Sequence, residues 1–118
     1  MRWIALAALL VLMPACAQPA VQRTPEEAVA HAQTLTPADA RLADLYAQSC
    51  KNCHTVLDTG APLSGDAGAW EARWKKGVPA LVTSTVSGLG GMPAGGQCFS
   101  CTADDYEALI RFMAGRER

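Results

Sequence analysis

Apolar side chains recur at helical spacing through most of the chain, and start and stop signals divide them into separate helices. Thr24-Pro25-Glu26-Glu27 combines an N-cap, a proline at the first helical position and acids in the first turn, predicting a short helix to about Thr34. Thr36-Pro37-Ala38-Asp39 repeats that signal. Leu42, Leu45, Tyr46 and Ser49 follow at helical spacing, so the helix carries Cys50 to Cys53 at its C-terminal end. A third helix is predicted from about Gly68 to Lys76, with Trp70 and Trp74 four residues apart and Gly77 as its stop. A fourth runs from about Pro79 to Ser87 with Leu81, Val82 and Val86 inward. Thr102-Ala103-Asp104-Asp105 caps a last helix to about Ala114, with an apolar stripe of Tyr106, Leu109, Ile110 and Met113 that Phe112 widens. No alternating run of β-branched residues interrupts this pattern, so the fold class is all-α, with four to five helices in one small domain.

Two stretches oppose regular structure. Asp58-Thr59-Gly60-Ala61-Pro62 reads as a loop, and Gly88, Gly90, Gly91, Gly95 and Gly96 surround Met92, where backbone can approach a flat ligand closely. Apolar residues make up 50% of the 118 positions, but much of that is alanine and only seven residues are aromatic. So thin a core in so short a chain gains much from a bound apolar cofactor. The charge is nearly balanced, 10 basic against 11 acidic side chains, which speaks against a nucleic-acid partner because that needs a concentrated basic face.

The first residues read as an export signal: Arg2, an apolar run from Trp3 to Met13, then Pro14 and small residues. That run is too short for a transmembrane helix, which takes roughly 20 residues. Leu12-Met13-Pro14-Ala15-Cys16 resembles a bacterial lipobox, and cleavage before Cys16 would leave it first in the chain and lipidated; Ala15-Cys16-Ala17 alternatively suits ordinary signal peptidase and a soluble product. Cys50, Cys53, Cys98 and Cys101 form two pairs, and lipidation accounts for the fifth cysteine. The favoured division is therefore a signal peptide at 1–15, a tether with a short helix at 16–36 and a folded domain at 37–116.

Cys50-Lys51-Asn52-Cys53-His54 carries the chemistry. Two thiols separated by two residues can each add to a vinyl group of haem, and the histidine that follows is then held beneath the iron. A soft thioether on the other face raises the reduction potential, and Met92 is the candidate for it. His31 reads as a solvent-facing imidazole, and Met113 as core.

From about Asp39 to Met113 the chain resembles the class I c-type cytochromes, with cytochrome c-five the nearest subgroup. Tyr46 stands four residues before Cys50, where that family has an aromatic; Cys50 to His54 is its attachment motif; and Met92-Pro93-Ala94-Gly95-Gly96-Gln97-Cys98-Phe99-Ser100-Cys101-Thr102 is similar to the subgroup's Met-Pro-x-x-Gly-Gly-x-Cys-x-x-Cys-Ser segment. The resemblance implies one covalently bound haem c with thioethers at Cys50 and Cys53, His54 and Met92 as axial ligands, and helices wrapped around it. It implies that the Pro62 carbonyl accepts the other ring N–H of His54, and that Cys98 and Cys101 form a disulfide. Trp70 and Trp74 would lie at the haem pocket, donating to a propionate or packing against the ring. Leu42 departs from the pattern, which has glycine where the first and last helices cross.

The function expected is a periplasmic, monomeric one-electron carrier meeting redox proteins in brief encounters, with membrane attachment through Cys16. A haem peroxidase or gas sensor with a labile sixth ligand is the alternative. A zinc module using both Cys-x-x-Cys pairs is disfavoured, because the spacing between Cys53 and Cys98 far exceeds the usual run of roughly 15–20 residues.

Overall fold

The computed structural model describes residues 22–117, so the expected leader and Cys16 lie outside the described residues. Within those limits the regular structure is helical: α1 (Pro25–Thr34), α2 (Ala40–Gln48), α3 (Lys51–His54), α4 (Ala67–Trp74), α5 (Val78–Ser87) and α6 (Ala103–Met113), with a 3-10 turn at Ala94–Gln97. A lone bridge joins Leu89 and Met92. No helix among the described residues is long and apolar enough to cross a membrane.

Thr24 and Thr102 cap their helices where the sequence places them, whereas α2 starts under Asp39, three residues after the expected Thr36 cap, and α4 under Asp66. Thr24 and Glu27 close a reciprocal capping box on α1, as do Thr102 and Asp105 on α6. Asp39 and Asp66 accept from the first free N–H groups of α2 and α4. Each such cap contributes about 1 kcal/mol.

The Cys50–His54 segment does not end α2 as the helical spacing predicts. Ser49 takes φ −132° and ψ −82°, and its hydroxyl donates to the Leu45 carbonyl at 2.5 Å, so the helix breaks and Cys50 to His54 begin a separate turn. A hydroxyl bonded back to the i−4 carbonyl weakens and bends a helix at that point.

The core joins α2 to α6. Tyr46 is 1% exposed, meets Phe112 edge-on with ring centroids 4.9 Å apart, and donates its hydroxyl to Ser64 at 2.9 Å. Leu109, Ile110 and Met113 complete the cluster, and Leu42 packs half-buried against it. At the edge of the same contact Arg41 holds both oxygens of Asp105, at 2.5 and 2.9 Å.

Two expectations about side-chain direction need correction. Val86, expected inward, is 50% exposed. Leu81, Ser84 and Thr85, at i, i+3 and i+4, form the inward stripe of α5, and Val86 falls just beyond it. His31, read as solvent-facing, is half-buried. It leans with Leu35 on Gly65: a Cβ there would lie 3.2 Å from the His31 Nε2 and 2.6 Å from the Leu35 Cδ1. Gly65 has φ 76°, the left-handed region that favours glycine, and its N–H donates to the Met113 carbonyl at 2.8 Å.

Candidate functional site

A cavity of about 450 Å³ opens between α3, the 59–62 loop, α4, α5, the Met92 loop and α6, within the range of roughly 300–1,000 Å³ typical of small-molecule sites. Cys50, Cys53, His54 and Met92 all border it, and Leu109, Ile110 and Met113 supply apolar wall from α6. Residues from both ends of the sequence pattern thus share one space.

His54 is 6% exposed, and its Nδ1 lies 2.7 Å from the Pro62 carbonyl, so the ring donates there and keeps the lone pair on Nε2. Burial lowers its pKa; the Pro62 bond opposes that shift, and the charge of Arg73 adds to it. The imidazole is therefore neutral near pH 7. Among the described residues no buried side-chain nitrogen or oxygen lacks a partner. The unpartnered Nε2 must then reach accessible space, which for a residue on this wall is the cavity. The Trp70 ring stacks beside it, 5.8 Å between centroids and 25° between planes.

The thiols differ in setting. Cys53 is exposed, whereas Cys50 is half-buried, with burial pushing its pKa up and so favouring the neutral thiol. Two free thiols, a buried neutral imidazole with an open nitrogen, a thioether and an apolar wall fit a covalently attached haem by their chemistry.

The Met92 loop is built differently. Leu89 and Met92 exchange backbone hydrogen bonds at 3.0 Å each, and Gly95, Gly96 and Gln97 follow in left-handed conformation. Gly96 makes the closest approach. A Cβ on it would lie 2.9 Å from the Met92 methyl carbon. A disulfide joins Cys98 to Cys101 just before α6.

Trp70 and Trp74 do not share the position expected of them. Trp70 borders the cavity, but its indole N–H donates to the Leu63 carbonyl at 2.9 Å and is unavailable to a carboxylate. Trp74 is absent from the cavity wall; it covers the core from outside, beneath the guanidinium groups of Arg111 and Arg116 at 5.6 and 5.7 Å. The residue sequence reasoning missed is Arg73, among the described residues the one Asp, Glu, Lys or Arg side chain on the wall. Its signal was the i+3 spacing from Trp70, since positions i+3 and i+4 flank a helical residue on opposite sides. Tyr106 and Met113 were read as apolar stripe, and both also line the cavity.

A sequence profile for the family described as cytochrome C oxidase, cbb3-type, subunit III, matches residues 37–113. The chain belongs to the class I c-type cytochromes. It is 38% identical over 74 residues to cytochrome c5 of Azotobacter vinelandii, covering 61% of this chain and 89% of that protein. Cytochrome c5 of Ectopseudomonas mendocina is 34% identical over 74 residues, with 61% and 85% covered. Cytochrome c-555 of Chlorobaculum tepidum is 32% identical over 77 residues, with 62% and 71% covered. This cytochrome stands close to c5, carries one covalently bound haem c, and is an electron carrier for redox proteins rather than an enzyme.

Proposed function

We propose that Cys50 and Cys53 hold the haem through thioethers, that His54 and Met92 take the two axial positions of its iron, and that the protein works outside the cytoplasm. The observation that carries this reading is the single cavity bordered by all four residues. Bound haem supplies a one-electron ferric/ferrous couple, whose potential depends on axial ligands, hydrogen bonding and burial.

The chain's own residues do the rest. Pro62 fixes the imidazole orientation through its carbonyl, a partner of the kind that usually accompanies an iron-bound histidine. Arg73 stands as counter-charge for a carboxylate of the cofactor. Leu81 of α5 with Leu109, Ile110 and Met113 of α6 supplies apolar wall that excludes water. Leu89, bordering the cavity and 64% exposed, supports an apolar docking edge suited to brief encounters across interfaces below about 1,200 Å².

A location outside the cytoplasm is supported by the leader pattern and by the Cys98–Cys101 disulfide, a bond that persists in oxidising compartments. The lipid anchor at Cys16, the boundaries 1–15, 16–36 and 37–116, and the monomeric state belong to this proposal on sequence grounds.

Optical spectra of the purified holoprotein in both oxidation states test the ligand set. Met92→Ala should keep the haem attached, lower the reduction potential and admit carbon monoxide promptly to the ferrous iron. An unchanged potential would move the sixth ligand to another residue, such as Met113, which also lies on the wall.

A further inference from the structure

Gly95, Gly96 and Gln97 have φ of 71°, 55° and 62° in succession. Left-handed backbone at Gln97, which carries a side chain, persists only where its surroundings impose it. Within the turn, the Gly96 N–H donates to the Pro93 carbonyl and the Cys98 N–H to the Gly95 carbonyl, each at 2.9 Å. From outside come two ties, both to the start of α6. The Cys98–Cys101 disulfide ends beside the Thr102 cap. The Tyr106 hydroxyl, one turn further, lies 3.2 Å from the Gly95 carbonyl and 3.0 Å from the Cys98 carbonyl, where its single proton is shared by the two acceptors that bracket the left-handed run. Gly96, within that bracket, is the backbone against which the Met92 methyl rests.

We infer that Tyr106 is a positioning residue for Met92. Its hydroxyl pins the Gly95–Cys98 turn to α6 and, through Gly96, keeps the thioether in place, so that removing the hydroxyl makes the sixth iron position exchangeable while the fold and the attached haem persist. This rests on Met92 being the axial ligand. The disulfide ties the turn at Cys98, whereas the Tyr106 hydroxyl is the side-chain bond from α6 that reaches Gly95.

The test compares ferric holoprotein of the parent and of Tyr106→Phe, reading the sulfur-to-iron charge-transfer absorption during titration with imidazole. Tyr106→Phe should bind imidazole about three- to tenfold more tightly, the factor given by one hydrogen bond of ordinary net strength, and should lose the sulfur band at correspondingly lower imidazole. Covalent haem content and helical circular dichroism should match the parent. Equal imidazole affinities, with the sulfur band present in both proteins, overturn the inference. A parent lacking the band overturns the Met92 assignment itself, and the inference with it. Amide hydrogen exchange on the parent needs no variant: the Gly96 and Cys98 amides should exchange as slowly as those of α6. Exchange a hundredfold faster than in α6 would mean a turn that opens independently of the helix, which also overturns it.

Discussion

His54 arrives on a turn of right-handed helix and is fixed by one bond from its own ring to the Pro62 carbonyl, whereas Met92 stands on a loop with three consecutive left-handed residues and is held by its surroundings. On the histidine side, five consecutive residues bring thiols and imidazole together, and the backbone there needs no unusual conformation. On the methionine side, position depends on a close backbone approach at Gly96, a disulfide and a tyrosine from another helix. On the proposed ligand set, the ligand held by local geometry resists distant changes. One held by tertiary contacts is open to adjustment from several residues, at the cost of being easier to dislodge.

The histidine side should fail as a unit. Cys53→Ala is expected to abolish most stable haem attachment and, with it, the folded protein, since a domain this small has little core to spare. Mass spectrometry and visible absorbance of exported material check this; a stable colourless fold would mean that the polypeptide does not depend on its cofactor. The methionine side should fail by degrees. Gly96→Ala places a methyl 2.9 Å from the Met92 methyl carbon, at a φ of 55° where a side chain costs roughly 1–2 kcal/mol. The expected outcome is attached haem with a weakened or lost sulfur band and a lowered potential; an unaltered band would show that Met92 has room to move. The smallest effect belongs to the contact that supports α6 from behind. Arg41, and then Thr102, hold the Asp105 carboxyl well below its usual pKa. Its stabilising contribution is therefore complete above about pH 4, the unfolded carboxyl range, and is lost as pH falls through the lower folded value. Asp105→Asn should lower the thermal midpoint modestly at neutral pH and flatten its acid dependence. An acid limb identical to the parent's would remove Asp105 from that role.

The same contrast governs how much the sequence disclosed. The starts of α1 and α6 were legible because Thr24 and Thr102 act within four residues of themselves, as were the short-range motif at Cys50 to His54 and the stripe on α6, whereas Asp39 rather than Thr36 caps α2. What escaped was set by tertiary direction: Trp74 turning away from the cavity, Arg73 turning into it, and Val86 missing the inward stripe of α5. Ser49 broke a helix that its periodicity alone would have continued. Tyr106 shows the limit most clearly, since helical spacing identified its face but not the two carbonyls its hydroxyl would find.

The family match begins at residue 37, yet His31 of α1 and Leu35 at its C-terminal cap already crowd Gly65, three positions after the carbonyl bonded to the His54 ring. α1 therefore packs against the segment that holds the His54 ring. That contact comes from a helix that lies wholly upstream of the part matched by the family.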